Sequence, residues 1–395
     1  MDCLHDITGQ DRLVEYLARI PDPRNVRGQR YEWRYLLIVI AAAMMSGESN
    51  PTDISAWVSA HKEELIRWLR PAYQYVPSVS TLRRVFYAIS IEALEGVVGD
   101  YLQKLRAEMG ESGQIVTQSG ERLQGLAVDG KTVRCATAHG TVTHLVSVVG
   151  HEDGIVLSQA SAAAKLGETT VAGKLLAAIP LERTVITFDA LHTSIKQAKQ
   201  IRQAGGHYLF VVKRNRKCLY RDIDDAFSVL PPQGSCEEEF WQYERCELND
   251  CSHGRTSRIL LESTTALNHF LSFPDVAQVI RRTRWVRNHR TQLESQHVEY
   301  LVTSLCRRQV TLAQLGLVRR RHWTIENVTH YPRDVSFSED RCHVHTGSAP
   351  QALAAFRNAV VGTLHAEGWP YLPNGFRYCR SHLQQSLQWI GIPAT

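Results

Sequence analysis

Two short apolar runs that each end in an aspartate constrain this chain more than any other feature. Leu126-Ala127-Val128 leads into Asp129, and Val185-Ile186-Thr187-Phe188 leads into Asp189. Runs of this length and composition, bounded by turn residues, read as strands. The surrounding pattern places strands at Leu126 to Asp129, Thr143 to Val149 and Ile155 to Ala160. A helix follows at Thr170 to Ile179, then a strand at Thr184 to Asp189, a helix at Ser194 to Ala204 and a strand at Tyr208 to Val212. Three hairpin-compatible strands followed by alternating helix and strand predict a mixed sheet covered by helices. Both aspartates would then stand at the ends of core elements, although each alone also reads as a turn residue or helix cap.

A third carboxylate lies in the helix-like stretch Arg319 to His330. At 3.6 residues per turn Arg319, His322, Glu326 and His330 share one face, beside an apolar stripe of Leu317, Val318, Ile325 and Val328. Glu326 is therefore expected at the edge of a buried surface. Taken alone, this helix reads equally well as a structural network of Arg and His. Three carboxylates at the ends of core elements point instead to a shared divalent-metal site. Such carboxylates suit Mg²⁺, which takes hard oxygen ligands and keeps waters that substrate phosphates replace. A pair of these ions, about 3.5–4 Å apart, activates an attacking hydroxyl and stabilises the leaving oxygen in phosphoryl transfer. Asp129, Asp189 and Glu326 are the expected ligands and catalytic groups, and the attacking group would be water or a DNA 3′-hydroxyl. Zinc on His322, Glu326 and His330 would leave both aspartates unexplained.

Upstream the pattern is helical. Leu13, Tyr16, Leu17 and Ile20 mark a first helix ended by Pro21-Asp22-Pro23, and Arg24, Arg27 and Arg30 follow. Trp33 to Met45 is apolar enough to be a domain core, and a third helix is expected to open at Thr52-Asp53 as N-cap. Pro77 to Phe86 starts another helix, carrying Arg83 and Arg84. It reads either as a DNA-reading helix or as a packing domain with two exposed arginines. Leu94 to Met109 continues as helix, and Gly110 to Gln124 reads as a polar linker. Beyond Val212, the stretches Phe240 to Tyr243, Ser257 to Glu262, Ala277 to Trp285 and Val298 to Leu305 read as strands that interrupt the alternation, as an insertion would. The resulting division is a helical, candidate DNA-binding domain (1–110), a linker (111–124), a core (125–236 and 306–366) split by a β-rich insertion (237–305), and a tail (367–395) with no legible chemistry.

Between Arg281 and Arg321 stand ten arginines and no lysine, opposed only by Glu294 and Glu299. That excess favours a polyanionic partner, although scattered arginines are also an ordinary solvated face. The nine cysteines include no Cys-x-x-Cys pair, which indicates neither a disulfide framework nor a zinc ribbon and fits a reducing cytosol. The most apolar run, Leu36 to Met45, is shorter than the roughly 20 residues a membrane span needs.

With these residues in view, the chain resembles bacterial insertion-sequence transposases with an Asp-Asp-Glu triad, in the branch of the H-repeat-associated proteins. The likeness runs through Ile20-Pro21-Asp22-Pro23-Arg24, Pro77-Ser78, Val128-Asp129-Gly130-Lys131 and Phe188-Asp189-Ala190-Leu191-His192-Thr193. It is most specific at His322-Trp323-Thr324-Ile325-Glu326-Asn327, continuing to His330 and from Arg333 to Asp340. The first acid lies 60 residues before the second (129 to 189) and the second 137 before the third (189 to 326), room enough for the β-rich segment. Tyr331 stands where the family more often has tryptophan. The resemblance implies a ribonuclease-H-like catalytic core and Mg²⁺ dependence, with Mn²⁺ able to substitute. It also implies cutting and joining of double-stranded DNA at inverted-repeat ends by a homo-oligomer on DNA, in the bacterial cytoplasm at the nucleoid. Lys131, His192, Lys213, Arg319, Arg320, Arg321, His322, Trp323, Asn327 and His330 are then expected to support the acids or contact DNA. The same expectation covers Arg83 and Arg84, and Arg281, Arg282, Arg284 and Arg287 in the β-rich segment. Trp323 reads as a stack for an unpaired base or as packing. Two other readings stay open: a domesticated DNA-binding regulator or scaffold that no longer cuts, and a ribonuclease-H-like nuclease that does not join.

Overall fold

The computed structural model describes residues 12–25, 27, 29–110, 115–133, 143–162, 167–189, 193–229, 242–252, 254–344 and 346–393. They form two compact units interleaved along the chain. The first takes its residues from Met1–Ser112, Gly130–Val171 and Ile325–Thr395, and the second from Gly113–Asp129 and Ala172–Thr324. The strands in chain order are β1 (Ile115–Val116), β2 (Arg122–Val133), β3 (Thr143–Gly150), β4 (Val156–Ala162), β5 (Thr184–Phe188) and β6 (His207–Val212). They continue with β7 (Glu244–Ser252), β8 (Arg255–Thr264), β9 (Gln278–Asn288) and β10 (Glu294–Thr303). The two units divide β2 between Asp129 and Gly130.

The first unit is built around the helix Trp33–Met45, in which every residue from Tyr35 to Met45 is fully buried. A helix that is apolar all round has no solvent face to offer, so its neighbours must enclose it. Leu13–Leu17, Pro51–Ala60, Ala349–Ala366, Leu372–Ser381 and Leu383–Ile390 do so. The helix Pro51–Ala60 is capped by Asn50, whose side chain accepts from the Thr52 and Asp53 amides, with Pro51 in the first turn. The cap expected at Thr52-Asp53 therefore lies earlier, at Asn50. The C-terminal segment holds two helices that polar spacing disguised, with Phe376, Cys379, Leu387 and Ile390 turned inward. The antiparallel pair β3 and β4 completes this unit, with Ile91–Glu108 and Ala349–Ala366 against β4.

A buried charged network ties its segments together. Glu339 is fully buried and accepts from Arg333 Nε and Nη2 at 2.9 Å each and from Arg357 Nη1 at 2.9 Å. Lys131 Nζ lies 3.2 Å from Glu339 and also bonds Asp334. Arg333 reaches Gln159 Oε1 at 3.1 Å and Asn358 Oδ1 at 3.4 Å. Gln159 and Gln351 in turn donate to Glu95 Oε1, at 3.1 Å and 2.9 Å. Burial alone would raise the Glu339 pKa, but the surrounding Arg333, Arg357 and Lys131 hold it far below the usual carboxylate range. Burial also acts on Glu95, where amide donors offset it only in part, and its pKa is pushed up to about 7.

In the second unit β2 and β5 are parallel, β5 and β6 are parallel, and β6, β10, β9, β8 and β7 follow in antiparallel order. The strands expected to form an insertion thus extend the same sheet, because β10 hydrogen-bonds along the open edge of β6 from Tyr300 opposite Val212 to Thr303 opposite Leu209. Of the strand expected at Phe240 to Tyr243, Phe240 and Trp241 lie outside the described residues, and Gln242 and Tyr243 precede β7 rather than belong to a strand. The helix Leu312–Arg321 lies on β6, β7 and β8, burying Leu312, Leu315 and Val318 against Leu209, Val211, Ile259 and Leu261. Gly316 permits this approach, since a Cβ there would lie 2.5 Å from Leu261 Cδ1 and 2.8 Å from Leu248 Cδ1. The stretch read as linker contributes β1 and the start of β2, held by the burial of Ile115 and Leu123 in the same cluster.

Replacing Glu339 by Gln leaves two buried guanidinium groups without their counter-charge. Urea unfolding should show a loss of about 3–5 kcal/mol, the scale for breaking a buried pair on one side. Loss under 1 kcal/mol would contradict a structural role. Glu95 carries the opposite pH signature. With its folded pKa raised from 4.5 to about 7, its contribution is complete at acid pH and is lost as pH climbs through that window. Comparing melting temperatures at pH 5 and pH 8 should show a smaller drop in Glu95→Gln than in the parent chain.

Candidate active site

The parallel pairing of β2 and β5 sets Val128 opposite Phe188, so Asp129 and Asp189 follow as the next residues of neighbouring strands. All five residues of β5 are buried, and Phe188 stacks on Phe210 of β6 at 4.8 Å. The apolar run holds the strand in the core, and the aspartate is where the chain leaves it. Next along the sheet, Phe188 lies opposite Phe210 on β6, and Lys213 comes directly after β6. Lys213 Nζ lies 3.1 Å and 3.3 Å from the two Asp189 carboxylate oxygens. The pair is exposed, at 54% for the lysine and 42% for the aspartate side chain. His192 lies outside the described residues. The chain after it is fixed by Thr193, whose Oγ1 donates to Val211 O at 2.8 Å and whose carbonyl accepts from Arg216.

The stretch around Glu326 is not one continuous helix. Leu312–Arg321 starts with a capping box between Thr311 and Gln314 and ends at Arg321, and Ile325–His330 is a π-helical turn followed by Tyr331–Val335. The 3.6-residue face expected from Arg319 to His330 is broken as a result. Leu317, expected in the apolar stripe, is 44% exposed, whereas Arg319 and His322 are buried. A π-turn carries an extra residue per turn and is frequent at functional sites. It leaves Glu326 exposed and His330 buried within the first unit, with His330 Nδ1 3.6 Å from Glu326 Oε2. Burial lowers the His330 pKa, which Glu326 counters only partly, so the ring is neutral at physiological pH.

The basic residues expected on DNA divide into two groups. Arg319 and Arg282 both serve the buried Glu299, at 3.0 Å and 2.8 Å, and Arg281 is bound to Glu262 at 2.6 Å and 2.8 Å. Burial is opposed by these cations, which keep the Glu299 carboxyl ionised and its pKa low. Arg284 donates to Ser257, and Lys131 is held in the Glu339 network. His322 Nδ1 sits 2.9 Å from Thr187 Oγ1 on β5, one residue before Phe188. These side chains are engaged with partners inside the fold. Arg83, Arg84, Arg287, Arg320, Trp323 and Asn327 are exposed, with Arg320 3.1 Å from Asp250 and Arg321 half-buried. Glu299 and Glu339 are the acids that sequence reasoning passed over. For Glu299 the signal was a carboxylate inside an arginine-rich stretch, which marks an internal ion pair as readily as a solvated face.

Residues 120–361 match the family model described as Transposase DDE domain, and residues 14–102 match the one described as DDE_Tnp_1-associated. The chain belongs to the DDE transposase family. Among curated proteins this family member is 24% identical over 363 residues to "Putative transposase YncI" of Escherichia coli O157:H7, spanning 89% of this chain and 87% of that protein. It is 22% identical over 362 residues to "H repeat-associated putative transposase YhhI" of E. coli strain K12, spanning 89% and 90%. The H-repeat-associated branch recognised in the sequence is thus among its relatives. A piggyBac transposase synaptic complex with hairpin DNA aligns at 10% identity and a TM-score of 0.43, over 99% of this chain and 78% of that one. The strand expected to end at Asp129 runs on to Val133, so Asp129 lies inside β2 while Asp189 follows β5. DDE transposases use divalent metal, and these two carboxylates are the hard oxygen donors that such an ion takes. No helix among the described residues is long and apolar enough to cross a membrane.

The two kinds of ion pair should behave differently on mutation. Lys213→Ala removes an exposed partner and should change unfolding free energy by less than about 1 kcal/mol. Glu299→Gln strips a buried pair and should cost about 3–5 kcal/mol. Equal costs in urea titrations would contradict the distinction.

Proposed function

We propose that this chain cleaves DNA strands at the inverted-repeat ends of an insertion sequence and joins the resulting 3′-hydroxyl to target DNA. Asp129, Asp189 and Glu326 would hold Mg²⁺, or Mn²⁺ in its place. The observation that carries this is the β2–β5 register, which sets two carboxylates on adjacent parallel strands of a chain belonging to the DDE transposase family. The order β2, β5, β6 in the second unit supports a ribonuclease-H-like core, extended by β7 to β10. Glu326 supports it too: the π-turn keeps that carboxylate exposed while the rest of the turn is anchored by Ile325, Thr329 and His330.

Bound metal would supply charge stabilisation for the attacking and leaving oxygens of an in-line phosphoryl transfer. This chain's residues would do the rest. Asp129 and Asp189 present oxygen ligands from strands that cannot shift without opening the sheet. Lys213, beside Asp189, balances its charge when no cation is near and is placed to meet a phosphate. Neutral His330 holds Glu326 without adding positive charge. Exposed Arg83, Arg84, Arg287 and Arg320 are suited to the DNA backbone, which positions the substrate without reading its sequence. A homo-oligomer on paired ends, working in the bacterial cytoplasm, fits this role.

Strand cleavage on supercoiled DNA carrying the element's ends, with Mg²⁺, tests the proposal. Asp189→Asn should lower the rate on the order of 100-fold or more, the loss expected when charge stabilisation worth several kcal/mol is removed. Supplying a pre-cleaved end with a free 3′-hydroxyl should then yield joined product. Equal cleavage by parent and variant would refute the assignment, and cleavage without joining would reduce it to a nuclease.

A further inference from the structure

The arginines that follow the first helix take no part in the site above. In the first unit Arg27, Arg30, Lys62 and Arg84 line a cavity of about 1020 Å³ together with Tyr75 and Tyr87. No carboxylate among the described residues lines it, and those four cations make no ion pair with another described residue. Arg24, at its wall, is already bound to Asp22 and lies over the Trp33 ring, so it serves the fold. The tyrosines are 57% and 46% exposed, and the Arg30 guanidinium stands 5.7 Å from the Tyr75 ring centroid. The helix Val79–Ala88 begins at this cavity, where Ser78 and Thr81 join the lining, and no side chain caps its first turn. Its first N–H groups and its dipole add to the positive potential.

Cations without counter-charges beside exposed aromatic rings make a site for phosphates and bases together. We propose that this cavity holds an unpaired stretch of DNA. Phosphates would lie on Arg30, Lys62, Arg84 and the start of the helix, with a base stacked on Tyr75 or Tyr87. Duplex DNA shows a protein only base edges and backbone, whereas stacking needs a free base face. The choice of DNA rests on the function proposed above. The cavity's charge and aromatic character do not.

The test is fluorescence anisotropy of a labelled thymidine oligonucleotide with the full chain in EDTA, so that no cleavage is needed. Arg30→Ala combined with Arg84→Ala should weaken binding at least about tenfold and lower the salt slope by about 1.4, the value for two lost single-strand phosphate contacts. Tyr75→Ala with Tyr87→Ala should weaken it roughly 5- to 100-fold, and the Phe pair should restore it. On an abasic oligonucleotide the tyrosine changes should have no effect. Unchanged affinity in the arginine variant, or an alanine pair equal to the Phe pair, overturns the inference. A ribose oligonucleotide that binds tighter than the deoxyribose one overturns the choice of DNA. If cleavage is intact while these variants bind normally, this inference fails alone. If the binding pattern appears in a chain that never cleaves, the function proposed above fails alone.

Discussion

Much of the first unit depends on one buried carboxylate. Glu339 gathers Arg333 from the helix after the π-turn, Arg357 from the helix Ala349–Ala366, and Lys131 from the far half of β2. Each cation would be costly to bury alone, and each is stabilised by the Glu339 carboxylate that the three share. The geometry is demanding, with Arg333 bidentate on both carboxylate oxygens. It therefore fixes the backbone at three places far apart in sequence. Lys131 is two residues from Asp129, and Arg333 is seven residues from Glu326. Within this unit, the segment bearing Glu326 is thus tethered to a single ion cluster.

The second unit relies on a different constraint, the pairing of apolar strands. Val185 to Phe188 is buried on both faces, as a central parallel strand must be. Nothing in that run can move toward solvent without exposing Phe188 or breaking its stack on Phe210. Asp189 gains its fixed position from this neighbouring core. The antiparallel strands added through β10 close the open edge of β6 and bring the arginine-rich stretch onto the sheet, where Glu262 and Glu299 neutralise part of it.

What could be read in the sequence followed local physics. Trp33–Met45 and the strands carrying the runs before Asp129 and Asp189 were legible because each has an unambiguous apolar pattern, although β2 continues past Asp129 to Val133. Glu326 was legible through its motif, but its helix was not. A 3.6-residue period drawn through Arg321 to Ile325 cannot anticipate a π-turn, which depends on tertiary contacts such as Thr329 to the Gly154 carbonyl. The pairing of Arg282 and Arg319 with Glu299 was hidden for a related reason. An arginine's partner is set by long-range pairing, and Glu299 reaches both only once β9, β10 and the helix Leu312–Arg321 are assembled. The helices at Leu372–Ser381 and Leu383–Ile390 were hidden because few apolar residues mark their buried faces.

The most direct measurement is Mn²⁺ binding to the full chain, followed by electron paramagnetic resonance. Three single substitutions, Asp129→Asn, Asp189→Asn and Glu326→Gln, are compared with the parent. A shared oxygen-ligand site requires all three to weaken binding, each by about tenfold or more, with melting temperature unchanged for the exposed Glu326. Parent-like affinity in Glu326→Gln, or in either aspartate variant, would contradict a common site for the three acids.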